Sequence, residues 1–391
     1  MPWLAALRVL WVSLMLAWAL LAVFRMPHGV LFYATVAATE AGYLLALLTL
    51  PAFVGGLATP RDIALSAVGA ATLVLLLSPL ARVGAVAREL PRQLHDAFGV
   101  RPPVVTAMDA GEPVAPYRAL ALLSLTDPDV PVETLVYATP DGSSPLELDF
   151  YGGRVAPHPR TLIVIVHGGS WRNGNSEQLT SMAKRLAAAG YAVAAINYRL
   201  APVHPFPAAY DDLRSAVDHL RGRSEELSID ADSVVLYGRS AGGHLVLLAA
   251  YRWGAPFVRG VVALYPPTDL RYSWEHPSNP RILDTPGTLR AFMGGAPDDS
   301  PAMGARYDDA SPYLAAGPAA PPTLLIHGGR DELVRPVHSA RLAERLAALG
   351  VPHHLLSLPW ATHGCEANPA GPSGQLIEYA VRAFLRAVRR R

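Results

Sequence analysis

The sequence predicts an α/β protein, a mostly parallel β-sheet with helices on both faces, preceded by a transmembrane helical region. From residue 132 onward, short apolar runs alternate with stretches of helical length, which is typical of a parallel sheet covered on both faces. Before residue 85, three apolar segments approach the roughly 20 residues needed to cross a bilayer. We therefore expect a transmembrane region of three helices (1–85), a juxtamembrane linker (86–130) and a globular domain (131–391).

The three apolar segments are nearly free of charge. Pro2–Phe24 contains only Arg8, Gly29–Leu50 contains only Glu40, and Ile63–Leu80 contains no charged residue. A signal peptide would explain the first segment alone. A buried helical hairpin in a soluble protein is the alternative, but the chain has no other sequence available to cover three such helices. The segments therefore predict a multi-pass membrane region.

The position of Glu40 and the arginines after the third segment lead to two further expectations. Glu40 should face the interior of the bundle, where Arg8, a serine or a backbone group satisfies it. The positive-inside tendency places the globular domain in the cytoplasm, unless that domain is translocated. This expected orientation rests on three arginines that follow the third apolar segment, Arg82, Arg88 and Arg92.

The globular domain shows a regular order of predicted elements. Its first two strands should pair antiparallel, and the region 270–315 falls where a cap or pocket wall would lie. The predicted strands are 132–138, 145–151, 162–166, 192–196, 233–237, 260–265, 322–327 and 352–357, and the predicted helices are 87–98, 176–189, 210–222, 241–251, 338–349 and 374–388.

The stretch Gly238-Arg239-Ser240-Ala241-Gly242 follows an apolar run and opens a predicted helix. A G-x-S-x-G in that position places its serine on a tight strand-to-helix turn with an exposed hydroxyl. Glycines are needed because a Cβ would clash where strand and helix approach closely. A plain glycine-rich turn is the alternative, unless a base and an acid are found for Ser240.

A serine hydroxyl needs a base to take its proton and an acid to orient that base. Asp331 and His363 follow two later predicted strands, in the chain order Ser, Asp, His of one serine hydrolase arrangement. Glu332 is a competing acid. We prefer Asp331 because the Gly328-Gly329 turn aims the first acidic residue back over the sheet.

A third element precedes the serine. The β-branched run Leu162–Val166 is followed by His167-Gly168-Gly169-Ser170-Trp171. Backbone N–H groups in such a turn can bind a developing oxyanion. The expected donors are Gly168 and Gly169 together with the N–H of Ala241, and the expected substrate contacts are His167 and Trp171.

Together these motifs resemble those of α/β-hydrolase esterases of the hormone-sensitive-lipase-like and feruloyl/acetyl esterase-like group. The segment Asn197–Asp212 is similar to that group's D-Y-R-L-A-P-E-H-P-F-P-A-A, with Asn197 in place of Asp and Val203 in place of Glu. The resemblance covers about residues 130–391 and implies an α/β-hydrolase catalytic domain. Trp171 after the H-G-G-S turn leans toward the feruloyl-esterase-like and formamidase-like branch.

The resemblance and the three elements predict a membrane-anchored serine carboxylic-ester hydrolase that acts on a small-molecule or lipid ester. An amidase, formamidase or peptidase with the same machinery is the alternative, and an inactive binding scaffold is a third. The chemistry requires no cofactor and no metal. The net charge of +1 gives no support for nucleic-acid binding. If residues 1–85 are only an anchor, their removal should leave activity intact.

Two further residue sets have structural interpretations. Arg199 with Asp211 or Asp212 should form an ion pair that ties a proline-rich loop to the following helix. The single cysteine, Cys365, is expected to be a small buried apolar residue rather than a nucleophile.

Overall fold

A computed structural model describes residues 2–54, 57–100, 115–124, 126–140 and 144–389. Residues 101–114 of the predicted linker lie outside the described residues. The strands are β1 Val132–Ala138, β2 Leu146–Tyr151, β3 Arg160–Val166, β4 Ala192–Ile196, β5 Ile229–Arg239, β6 Val258–Leu264, β7 Thr323–Gly328 and β8 His353–Leu358.

The α-helices fall into an N-terminal group and a group that covers the sheet. The first group is α1 Pro2–Leu21, α2 Phe32–Glu40, α3 Gly42–Leu47 and α4 Pro60–Phe98. The second is α5 Thr180–Ala188, α6 Ala208–Gly222, α7 Ala241–Arg252, α8 Leu270–Glu275, α9 Thr285–Met293, α10 Pro301–Asp309, α11 Pro312–Ala315, α12 Val337–Ala348 and α13 Pro372–Arg389. Short 3-10 helices lie at Gly29–Leu31, Leu50–Phe53, Ala119–Leu123 and Ser176–Leu179.

The sheet has eight strands in the order β1-β2-β4-β3-β5-β6-β7-β8. The strands from β4 to β8 in this order are parallel, whereas β1 pairs with β2, and β2 with β4, in antiparallel register. The predicted α/β fold is confirmed. Parallel strands are buried on both faces, which explains their continuous apolar runs.

Two hydrophobic cores lie on the two faces of the sheet. One contains side chains of α6, α7, α12 and the 270–315 region, and the other contains side chains of α5, α13 and the second half of α4. The sheet therefore separates two helical layers, and the ends of its central parallel strands meet at one edge.

Helix α4 is longer than the sequence predicts. It is one helix of 39 residues that begins after the N-cap Thr59 and ends at Gly99, which has φ of 73°. At 1.5 Å per residue its length is about 58 Å. The predicted short helix at 87–98 is its last part, where Leu90 and Leu94 pack into the core beneath the sheet. The polar character of residues 86–98 reflects the exposed side of this helix.

The second apolar segment is not one straight helix. α2 and α3, each with its neighbouring 3-10 helix, are inclined by 81° to each other. The bend lies where Gly42 meets α4, since a Cβ on Gly42 would lie 2.6 Å from the carbonyl oxygen of Leu76. Glu40 is buried, and a serine and a backbone group satisfy it as expected, but both belong to α13 and not to the apolar bundle. Its Oε1 accepts from the hydroxyl of Ser373 at 2.9 Å, and its Oε2 accepts from the N–H of Ser373 at 3.2 Å.

Two helices of the described residues, α1 and α4, are long and apolar enough to cross a membrane, and the bent pair would make a third span if counted as one. Their outward side chains include Leu10, 66% exposed, and Val74, 69% exposed. Arg8 is paired with Asp62 at 2.5 Å between these helices. A surrounding bilayer would explain why these apolar side chains are exposed.

The structure decides between the two acids expected near Arg199. The backbone N–H of Arg199 donates to Asp212 at 2.8 Å, and its Nη2 donates to the same carboxylate at 2.7 Å. Asp212 is buried, whereas Asp211 is exposed. Cys365 is fully buried, as expected.

We predict that Gly242→Ala lowers the free energy of unfolding of the full-length protein by about 3 kcal/mol, the upper end of the cost of overpacking. A Cβ on Gly242 would collide with the carbonyl oxygen of Val166. Thermal unfolding in detergent measures the change.

Gly222→Ala is the matched control, since Gly222 ends α6 with nothing within 4 Å of its built Cβ. It should leave the melting temperature unchanged or slightly raised. Equal melting temperatures for the two variants would contradict the close-packing argument.

Candidate active site

Ser240 sits in a strained backbone conformation between β5 and α7, with φ of 50° and ψ of −121°. Cβ atoms on Gly238 or Gly242 would collide with backbone atoms of α7 or β3, so only glycine fits at either position. The N–H of Ser240 donates to the carbonyl oxygen of Leu264 at 2.9 Å. This geometry directs the hydroxyl away from the sheet, and the strain is held by the surrounding packing.

Three predicted residues meet at the carboxyl ends of the strands. The hydroxyl of Ser240 lies 3.0 Å from Nε2 of His363, and Nδ1 of His363 lies 2.6 Å from Oδ2 of Asp331. An imidazole protonated on Nδ1 donates to Asp331 and accepts from Ser240. The structure therefore brings the three residues that the sequence predicts as nucleophile, base and orienting acid into hydrogen-bonding contact.

Asp331 is almost fully buried, at 1% exposure, and every contact stabilises its charged form. Its Oδ1 accepts from the N–H groups of Leu333 and Val334 at 2.9 and 3.0 Å. Burial alone would raise the pKa of Asp331, but His363 and the hydrogen bonds hold it well below its usual range. His327 also lowers the pKa of Asp331, since its Nε2 lies 3.4 Å from Oδ2 of Asp331. The carboxylate is thus ionised under all ordinary conditions.

The neighbours of Asp331 turn toward the N-terminal helices. Glu332, the competing acid of the sequence prediction, pairs with Arg25 at 2.8 Å instead of His363. Arg330 donates to the carbonyl oxygen of Ala22, just after α1, at 2.6 Å. Burial lowers the pKa of Arg330 to about 10, which leaves it charged at neutral pH. The loop that carries Asp331 therefore also caps α1.

The glycine turn after β3 supplies fewer free donors than predicted. Gly169, with φ of 114°, lines the cavity beside Ser240, as does Ala241 at the start of α7. The N–H of Gly168, however, donates to Oε1 of Gln178 at 3.2 Å. Gly168 is thus engaged by a side chain and is not available as an oxyanion donor in this conformation.

The two ends of the turn differ in their access to the cavity. Trp171 lines the cavity and stacks on Phe292, with ring centroids 4.1 Å apart. His167 does not line it, contrary to expectation: it is 2% exposed and stacks on Tyr198. Its Nδ1 donates to the carbonyl oxygen of Gly168 at 2.7 Å. Burial lowers the pKa of His167 to about 4, so it is a neutral structural side chain.

The cavity above Ser240 has a volume of about 220 Å³ and a mixed lining. The region 270–315 forms one wall, as predicted, through Ser273, His276, Leu283 and Leu289. No group of three or more metal-ligating side chains is placed to hold a metal ion within the described part of the chain.

A buried group beside His363 was not predicted. The ring of Tyr265 lies 4.1 Å from the imidazole, centroid to centroid, on a residue with φ of 40°. Its hydroxyl donates to Oε1 of Glu366 at 2.6 Å, and Nη1 of Arg239 lies 2.9 Å from the same oxygen. These contacts fix one face of the imidazole. Tyr265 follows β6 directly, but no spacing rule connects it with Glu366.

Phe32 and Tyr33 also line the cavity, although they belong to the second apolar segment. Their apolar composition indicated only a bilayer environment, and the sequence offers no signal for contact with the site. The ring of Phe32 lies 6.4 Å from that of His363, centroid to centroid. The N-terminal region therefore contributes to the cavity wall.

Two curated esterases from Mycobacterium tuberculosis (strain ATCC 25618 / H37Rv) are similar in sequence. Esterase LipC is 32% identical over 250 residues, 59% of this chain and 59% of its own length. Esterase LipQ is 27% identical over 247 residues, 61% of this chain and 56% of its own. The chain thus spans less than two thirds of the curated relatives it matches.

Solved esterase structures share the fold. A structure titled "Bacterial Heroin Esterase" is 25% identical with a TM-score of 0.56, over 69% of this chain and 87% of its own. An esterase from Pyrobaculum calidifontis is 25% identical with a TM-score of 0.55, over 79% and 95%. The BD-FAE family model matches residues 148–346, about half of the chain, including Ser240 and Asp331. The chain therefore belongs to the BD-FAE family, on an α/β-hydrolase fold.

Proposed function

We propose that this protein is a serine carboxylic-ester hydrolase held at a membrane. The observation that carries the proposal is the hydrogen-bonded series Ser240, His363 and Asp331 beneath a partly apolar cavity. The named esterases among its relatives support an ester as substrate.

In the first half of the reaction, His363 accepts the proton of Ser240 as its Oγ attacks the ester carbonyl carbon. The resulting imidazolium is stabilised by the charge of Asp331. The N–H groups of Gly169 and Ala241 are the proposed donors to the tetrahedral oxyanion. Collapse breaks the bond between carbon and alkoxy oxygen, and His363 returns the proton to the departing alcohol.

In the second half, water replaces the alcohol. His363 takes a proton from water as the water oxygen attacks the acyl-Ser240 carbonyl. The second tetrahedral intermediate releases the carboxylic acid, and the proton held by His363 restores the Ser240 hydroxyl. The buried contact of Tyr265 with the imidazole is suited to keep the ring oriented through both halves.

The proposed arrangement has three parts. The apolar helices α1 and α4, with the bent segment between them, form the membrane anchor, and residues 131–391 form the catalytic domain. α4 belongs to both, because Leu76 packs within the anchor and Leu90 packs beneath the sheet. Of the predicted linker 86–130, only the residues after the end of α4 are therefore proposed to connect the anchor with the catalytic domain.

We predict that Ser240→Ala lowers kcat for p-nitrophenyl acetate by about 10⁴-fold or more, because the nucleophile is removed. The variant should also lose labelling by a fluorophosphonate probe. Ser215→Ala is the control, since Ser215 lies on the exposed side of α6, and it should retain both signals. Undiminished hydrolysis by Ser240→Ala would refute the mechanism, and turnover of amides in preference to esters would favour the amidase alternative.

We predict that Asp331→Asn lowers kcat by about 10⁴-fold at neutral pH, because an amide N–H facing His363 favours the wrong imidazole tautomer. Glu332→Gln is the matched control, since Glu332 contacts Arg25 and not His363. Its kcat should stay within a few-fold of the parent. A larger loss in Glu332→Gln than in Asp331→Asn would reverse the assignment of the acid.

We predict that the full-length protein stays in the membrane fraction after an alkaline carbonate wash, because α1 and the first half of α4 expose apolar side chains. Flotation of washed membranes on a density gradient measures this, with a co-expressed soluble α/β-hydrolase as control. Release of the protein together with the control would argue against anchoring by these helices.

A further inference from the structure

The apolar segment between the two long helices reaches the proposed active site. Phe32 and Tyr33 line the same cavity as Ser240 and His363. A Cβ built on Gly364, beside His363, would lie 3.4 Å from Cζ of Phe32. Phe32 therefore packs directly against the loop that carries the base.

Both ends of the helix that carries these rings are bonded to the catalytic domain. Just before it, the N–H of Gly29 donates to the carbonyl oxygen of Arg281 at 2.9 Å. At its end, the Glu40 carbonyl oxygen accepts from Nδ2 of Asn368 at 2.8 Å, and its carboxylate accepts from Ser373. Hydrogen bonds at both ends hold Phe32 and Tyr33 in the wall of the cavity.

The mouth of the cavity lies next to the apolar helices. Tyr33 lines the cavity yet is 82% exposed, and nearby Val30 is 80% exposed. The chain reaches this mouth directly from α1, whose end is fixed by Arg330 next to Asp331.

The cavity is small, and apolar side chains form part of its mixed lining. Phe32, Leu283, Leu289, Leu333 and Val334 supply apolar surface around Ser240. Its volume of about 220 Å³ lies below the roughly 300–1,000 Å³ of ordinary small-molecule sites. A larger ester would place one acyl chain inside and leave the rest of the molecule at the mouth.

We propose that the substrate is the acyl ester of a lipid alcohol, which enters from the bilayer past Tyr33, and that Phe32 forms the wall against its acyl chain. This inference rests on the proposed ester hydrolysis and assigns residues 29–40 a role in specificity. The removal of residues 1–85 would then delete part of the substrate site, and not merely an anchor.

The first test compares kcat/KM for p-nitrophenyl decanoate and p-nitrophenyl acetate in the full-length protein. Phe32→Ala should lower the ratio of decanoate to acetate by about tenfold or more, because contact between a half-buried ring and an acyl chain is lost. Phe32→Leu should restore most of the ratio. Phe24→Ala, a change at an exposed phenylalanine that does not line the cavity, should leave the ratio unchanged.

The outcomes separate this inference from the proposed function. An unchanged ratio in Phe32→Ala, with esters still hydrolysed, would overturn the role of Phe32 and leave the esterase proposal in place. Failure of the unmodified protein to hydrolyse any ester would overturn both. Loss of the ratio in Phe32→Leu as well as in Phe32→Ala would indicate a structural disturbance and count against an acyl-chain wall.

The second test examines the route of entry. The protein is reconstituted into vesicles of ether-linked phosphatidylcholine, which contains no carboxylic-ester bond, and dioleoylglycerol is added either to the same vesicles or to separate ones. Release of oleate should be at least about tenfold faster from shared vesicles, because the local concentration at the mouth is higher. Equal rates in the two arrangements would contradict entry from the bilayer.

Discussion

The close approach of β3 to the first turn of α7 is the constraint on which the site depends. Gly242 leaves no room for a side chain against the carbonyl oxygen of Val166, and Gly238 is equally enclosed. That contact holds Ser240 at a positive φ and leaves the N–H of Ala241 at the start of the helix. Nucleophile, helix terminus and sheet edge are therefore positioned by one packing contact.

The loop after β7 joins two functions that the sequence suggests are separate. Asp331 contacts His363, whereas its neighbours Arg330 and Glu332 contact the end of α1 and Arg25. The acid of the proposed mechanism and the proposed membrane anchor are thus connected through three consecutive residues. A displacement of α1 would act on the hydrogen bond that orients the base.

The parts of the fold and of the site that could be predicted depend on residues close together in the sequence. Strands, sheet helices and the positions of Ser240, Asp331 and His363 follow from short apolar runs and from polar residues at strand ends. The course of the second apolar segment could not be predicted, because the contacts of Phe32 and Glu40 are with residues more than 300 positions away, as with Glu40 and Asn368. The loss of Gly168 as a donor depends likewise on a side chain from the next helical segment.

Helix α4, which contains Pro79 and Pro91, runs as one helix from the apolar bundle to the core beneath the sheet and links the two directly. In a bilayer, such a helix would set the height and tilt of the cavity mouth relative to the lipid surface. Under the proposed entry from the bilayer, the protein would encounter its substrate by diffusion in the plane of the membrane. Its rate would then follow the mole fraction of substrate in the membrane. Dilution of the cell contents would leave that rate unchanged, whereas dilution of the substrate by other lipids would lower it.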